Sequence, residues 1–262
     1  MSPVTTRRED RLVIADMHGD PDVMLDAALV RGLIAALEEA EQTGAGVMLL
    51  RSTASSFCAG ASFARLEAWS GSQTGLEIEE DGEAWNALFA RLEASPVPVV
   101  AQIEGAALGA GLGLVLACDL RVASTSAVFG VPEARFGILP AGGAIARLVR
   151  RCGPSVASRL LLTAEIVKGE AALALGLADY AVPSQAAGDT ALALARKMAR
   201  LSPPALSAAK RLVAVAAAGS DTRQIERDEL VALASSEPTR QALKSILPTD
   251  PHGQKQKPGR NS

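Results

Sequence analysis

Glu133 follows a proline and stands downstream of four glycines set within nine residues, Gly105, Gly109, Gly111 and Gly113. The surrounding stretch, Val99 to Gly143, is an apolar run, the glycines, a short apolar segment, Cys118-Asp119, a second apolar run and then Pro132-Glu133. Glycines let a backbone approach a ligand closely, and a helix starting among them points unpaired N–H groups at it. Such N–H groups can hold a developing oxyanion. A carboxylate in apolar surroundings has a raised pKa and suits general-base work. His18 and His252 are the only histidines and neither lies in a motif, which argues against a Ser/His/Asp hydrolase. The three cysteines, Cys58, Cys118 and Cys152, have no metal-ligand spacing. No metal and no cofactor are expected.

Elements that could position these residues can be read along the chain. Residues 11–15 read as a strand. Asp26 can cap a helix running to about Glu41, with Leu29, Leu33 and Leu37 on one face and Gly44 and Gly46 beyond its end. Val47–Leu50 is a short buried strand. Strand, helix, strand is the crossover unit of an α/β fold. Residues 70–83 hold loop formers and then an acidic run, Glu77, Glu79, Glu80, Asp81 and Glu83, and are expected to be a solvated mobile loop. A helix with Trp85, Leu88, Phe89 and Leu92 inward follows, then a Ser-Pro-Val-Pro turn into the strand Val99–Ile103. Helices are expected at Ala144–Arg151 and Ser155–Leu162, and a last strand at Leu177–Val182. Asp119, at a junction, reads as a turn acceptor. From Leu192 the pattern is helical only, with helices at Ala205–Ala218 and Asp221–Ser235 and a third from Pro238. The expected division is a core over 1–191, a helical region over 192–247 and a disordered tail over 248–262.

The stretch around Gly105–Glu133 resembles the crotonase (enoyl-CoA hydratase/isomerase) family. So does Ser56-Phe57-Cys58-Ala59-Gly60-Ala61, which is similar to the family's other oxyanion segment. The resemblance runs from about Asp10 to about Leu247. It implies an α/β fold built as a spiral of ββα units, with C-terminal helices that assemble subunits into trimers or hexamers. It implies a thioester carbonyl polarised by the backbone N–H groups of Ala61 and Ala110, with Glu133 as the acid/base. Substrate contacts are implied at Ala59, Gly60, Ser62, Arg65, Gly109 and Gly113.

The sequence departs from the family pattern at several of these places. Hydratases of the family carry a second glutamate, and the matching position is Gly113. Ser62 replaces an aspartate, Ala64 stands where a basic residue is common with Arg65 beside it, and Ile246 stands where an aromatic often covers CoA. A single carboxylate suffices to move a proton between carbons, so an isomerase or lyase with one glutamate is expected, and Gly113→Glu is expected to raise hydration. The alternatives are a dehydratase or decarboxylase acting on carrier-protein-bound acyl groups in polyketide biosynthesis, and a non-catalytic acyl-CoA-binding subunit.

Composition is compatible with a globular enzyme. The chain has 262 residues, 48% hydrophobic and 21% charged, enough for a sizeable core. A net charge of −3 argues against nucleic acid as partner. The odd cysteine count fits a reducing compartment. The N-terminus has no apolar leader, and no long uncharged apolar run is present, so a cytoplasmic, non-membrane protein is expected.

Overall fold

The computed structural model describes residues 2–71 and 74–246. Its first strand, β1 (Val4–Glu9), is one that hydropathy conceals, because only Val4 of its six residues is buried. It is an edge strand, antiparallel to β2 (Leu12–Met17) across a turn in which Asp10 takes a positive φ of 52°. Helix α1 (Ala27–Gln42) starts as its sequence dictates, with Asp26 Oδ1 accepting from the Leu29 N–H at 2.8 Å. Leu29, Leu33 and Leu37 are buried along its inner face. β3 (Val47–Ser52) then pairs parallel with β2. Its first four residues are wholly inaccessible, as expected of a parallel strand covered on both faces.

The acidic segment corrects the expectation of a loop. Residues Phe63–Gly71 form α2, and Leu76–Ala94 form the long helix α3. Glu77 and Glu79 lie in the first turn of α3, where carboxylates favour the helix dipole. Trp85, Leu88, Phe89 and Leu92 repeat at helical spacing and are buried. A charge run that reads as a loop is here one helix's outer face, and Asp81 turns inward.

After β4 (Val99–Ile103) come β5 (Ala106–Leu108), α4 (Ala110–Ala117), β6 (Leu120–Ser124) and β7 (Val128–Gly130). All eight residues of α4 are buried, as a helix apolar on every side must be. A 3-10 turn over Pro132–Phe136 precedes α5 (Ala144–Thr163), which breaks at Gly153-Pro154 where two separate helices were expected. β8 (Ile166–Lys168), α6 (Gly169–Ala174), β9 (Tyr180–Val182) and α7 (Ser184–Ala199) complete the body. The main sheet has the order β1-β2-β3-β4-β6-β9, and a second sheet has the order β5-β7-β8.

Helix α7 moves the expected boundary. Its Ala191, Ala195 and Met198 pack against Leu12, Ile14, Leu49, Val100 and Val122 on the face of the main sheet opposite the larger core. A division at 191/192 would cut this helix, so the body extends through α7. The remaining helices are α8 (Pro203–Ala217), α9 (Arg223–Ala234) and α10 (Glu237–Ile246). The expected tail, 248–262, lies outside the described residues.

Helix α8 buries Ala208, packs Leu206 against the cluster under α7, and is tied to the body by Lys210. The Lys210 ammonium donates to the carbonyls of Leu92 at 2.7 Å and Val97 at 3.3 Å and pairs with Asp119 Oδ2 at 2.8 Å. Asp119 also accepts the Val99 N–H at 2.7 Å, the structural role its sequence position suggested. Lys210→Met is expected to cost about 2–3 kcal/mol, since it strands two carbonyls and a carboxylate. Chemical denaturation checks this, and an unchanged midpoint would refute the tie.

Candidate active site

The two glycine-containing segments meet as a short parallel pairing. Cys58 bridges Ala107, with the Cys58 N–H donating to Ala106 O at 3.0 Å and the Leu108 N–H donating to Cys58 O at 3.1 Å. The same three-residue step leads from Cys58 to Ala61 and from Ala107 to Ala110. Gly60 makes the approach possible. Its φ is 90°, and a Cβ there would lie 2.8 Å from Leu108 O and 3.4 Å from the Ala110 nitrogen. Ala110 opens α4, where the first N–H has no acceptor within the helix. Among the described residues no protein acceptor takes the Ala61 or the Ala110 N–H. Burial pushes the Cys58 thiol up to about 12, so this cysteine is packing and not a nucleophile.

Glu133 is brought over these segments by the 3-10 turn that begins at Pro132. Its carboxylate lies against Gly109, where φ is 54° and any Cβ would fall on Glu133 Oε1. The other oxygen, Oε2, is buried without a hydrogen-bond partner. Burial raises the Glu133 pKa above the ordinary carboxylate value, opposed by a hydrogen bond from its own backbone.

A cavity of about 260 Å³ joins these groups. Ala59, Gly60, Ala61, Gly109, Ala110 and Glu133 line one part of it, while Met24, Leu66, Trp69, Trp85, Ile138 and Ala141 line another. Phe63 and Phe136 stand edge to face at its side, with centroids 6.5 Å apart. Asp22 also lines it, and its Oδ1 accepts from Ser55 Oγ at 2.8 Å. Sequence reasoning missed Asp22, because an aspartate in Gly-Asp-Pro-Asp is indistinguishable from a turn former. It also missed Trp69, the sole buried residue of α2.

Three expected substrate contacts are placed elsewhere. Ser62 caps α2, its Oγ accepting the Arg65 N–H at 3.2 Å. Arg65 is held by Asp81 and by Glu77 O, and the hydrogen bond to Asp81 raises its pKa. These contacts link α2 to α3. Gly113 does not line the cavity. A Cβ there would lie 2.7 Å from Phe89 Cε2 and 3.1 Å from Cζ, so the space a glutamate would need holds a benzene ring. Arg147 covers that ring 5.3 Å from its centroid. His18 bonds Thr5 and Thr53 through its two ring nitrogens, a structural role.

A family model described as enoyl-CoA hydratase/isomerase matches residues 18–246. The chain belongs to this family. It is 36% identical over 213 residues to the 2,3-dehydroadipyl-CoA hydratase of Escherichia coli, covering 80% of this chain and 81% of that one. It is 38% identical over 196 residues to the fatty acid oxidation complex subunit alpha of Shewanella amazonensis, covering 72% of this chain. That match takes in 27% of the subunit's length, so this chain spans about a quarter of it. Among solved structures, the enoyl-CoA hydratase of Bacillus anthracis superposes with a TM-score of 0.85 at 25% identity, over 93% of this chain and 95% of that one. DspI of Pseudomonas aeruginosa gives 0.86 at 27% identity, over 94% of each. The crotonase fold is therefore that of this chain. Among the described residues no helix is long and apolar enough to cross a membrane.

Proposed function

We propose that this chain is an acyl-thioester enzyme that stabilises an enolate, with Glu133 as its acid/base and the Ala61 and Ala110 N–H groups as oxyanion donors. The observation that carries this reading is a buried, unpartnered carboxylate oxygen beside two unclaimed backbone donors on one apolar cavity. A thioester carbonyl oxygen between the donors gains stabilisation as it becomes an enolate oxygen. Glu133 removes a proton from one carbon and returns it to another, which is the work of an isomerase. Its raised pKa brings it nearer the operating pH, as proton transfer in both directions requires.

Hydration is the second reading. Both named relatives above that carry a single activity are hydratases, and Asp22 is a second carboxylate on the cavity. Assays of hydration and of double-bond migration on a panel of 2-enoyl- and 3-enoyl-CoA thioesters decide between them, with Asp22→Asn alongside. Loss of hydration in Asp22→Asn would favour the two-carboxylate reading. Turnover of carrier-protein thioesters in preference to CoA thioesters would favour the polyketide alternative, and no turnover of any thioester would leave a binding subunit.

The substrate is an acyl-CoA or carrier-protein thioester, the protein acts without a cofactor, and it assembles as a trimer or hexamer. Val213, Leu230 and Val231 on α8 and α9 are 65%, 67% and 60% exposed, an apolar surface that assembly would cover. Light scattering is expected to give three or six times the 27.0 kDa chain mass. A monomer would defeat the assembly.

A further inference from the structure

We propose that the cavity takes a neutral, apolar acyl group, and that Asp81, acting through Trp69, sets how long that group can be. The proposal rests on the reading of this cavity as an acyl-thioester site.

The first observation is the chemistry of the wall. Trp69 and Trp85 pack at 5.8 Å between ring centroids with planes tilted by 51°. Both indole N–H groups are already engaged. Trp69 Nε1 donates to Asp81 Oδ2 at 2.9 Å, and Trp85 Nε1 donates to Leu25 O at 3.0 Å. The rings therefore offer a ligand carbon surface and no hydrogen bond. Met24, Leu66 and Ile138 extend that surface.

The second observation is charge. Among the described residues no lysine, arginine or histidine lines the cavity, and its ionisable groups are Asp22 and Glu133. The nearby cation, Arg65, does not line the cavity, pairs with Asp81 and donates to Glu77 O. An acyl group ending in a carboxylate would be desolvated here with no counter-charge and with acids for company, which is costly. A dehydroadipyl group ends in such a carboxylate, so this chain is expected to reject the acyl group for which its Escherichia coli relative is named.

The third observation is the clamp. Arg65 and Trp69 stand one helical turn apart on α2, so both reach the same neighbour. One oxygen of Asp81, Oδ2, accepts from Arg65 Nε and from Trp69 Nε1. Asp81 thus pins the indole against Trp85 and closes that side of the cavity. Without it the ring is free to turn away and the cavity lengthens. Asp81 touches no reacting atom and is a positioning residue.

Trp69 and Trp85 are the chain's two tryptophans, so indole emission reports occupancy of this cavity directly. Saturated thioesters bind without reacting, which separates this test from the catalytic one. Hexanoyl-CoA is expected to bind about 10²-fold tighter than adipoyl-CoA, its carboxyl-ended counterpart with the same number of carbons. In Asp81→Ala the ratio of decanoyl-CoA to hexanoyl-CoA affinity is expected to rise about tenfold. Asp81→Asn keeps an oxygen for Trp69 and should retain the native ratio. If Asp81→Ala does not fold, Trp69→Leu, which shortens the wall itself, should move the ratio the same way. Equal binding of adipoyl- and hexanoyl-CoA overturns the proposal, as does an unchanged ratio in folded Asp81→Ala or, failing that, in Trp69→Leu. No binding of any acyl-CoA removes the underlying acyl-thioester reading as well, whereas the expected binding pattern without turnover of enoyl-CoAs sinks only the reaction.

Discussion

Glu133→Gln is expected to lower kcat by about 10²–10⁴-fold while leaving the protein folded. The substitution keeps the side chain's shape and removes its ability to exchange a proton. Two further readings follow from its burial. The acid limb of the native pH–rate profile should lie above the ordinary glutamate value of 4.5, because burial disfavours the charged form, and it should vanish in the variant. The same burial links to stability. A carboxyl whose pKa is raised in the folded state contributes stability below its unfolded pKa, and that contribution is lost as pH rises through the folded value. Above its folded value the ionised Glu133 is therefore a cost to the fold. Glu133→Gln should melt above the native protein at pH 7, with the gap closing below about 4.5. Steady-state kinetics and a melting series across pH test both statements, and near-native turnover would remove Glu133 from the mechanism.

Gly113→Glu is expected to destabilise the protein by about 4 kcal/mol or more and to bring no gain in hydration. Sequence comparison alone suggests the opposite, since the position matches that of a glutamate in hydratases. The structure supplies the reason. The first carbon of any side chain there meets the ring of Phe89, which is fully buried under Arg147. Overpacking costs about 1–3 kcal/mol, and a carboxylate buried beside an aromatic edge adds several more. Gly113→Ala alone should cost about 1–3 kcal/mol. The carboxylate can be tested for function only with its space cleared, in Phe89→Ala/Gly113→Glu, at a further price of about 3–5 kcal/mol for the lost ring. Thermal denaturation of the three variants decides. A Gly113→Glu protein that melts with the native one would mean that Phe89 yields easily.

Much of the fold, and the two segments that meet at the cavity, were legible because their parts are local. Short apolar runs marked β2, β3, β4 and the end of β9, the Asp26 cap and leucine spacing marked α1, and two glycine-containing segments marked the stretches that meet at Cys58 and Ala107. The misses have physical causes. β1 is an antiparallel edge strand whose polar residues face solvent, so hydropathy carries no trace of it. The acidic run over 77–83 belongs to a helix whose inner face starts later in the sequence, and Asp81 points inward for a reason, Trp69, that lies one helix away. For Arg65, expected to meet a ligand, nothing in the sequence reveals its bond to Asp81. Gly113 was expected to face substrate because the ring that fills its space comes from another helix. Local pattern identifies elements, and contacts between elements decide which side chains are left for chemistry.

The parallel pairing of Cys58 with Ala107 has a consequence for how such a chain can diverge. If the polarising groups are the N–H groups of Ala61 and Ala110, then no exchange of one side chain for another removes them, except proline, which has no N–H. Substitutions that leave Gly60, Gly109 and Glu133 in place keep both donors and the carboxylate together on the cavity. Gain or loss of one residue is a different matter. A deletion between Cys58 and Ala61, or between Ala107 and Ala110, would slide one donor past the other by a residue and turn its N–H away from the shared focus. A lineage carrying this site would hold the length of these two short stretches, and Gly60 and Gly109 within them, while side chains elsewhere changed.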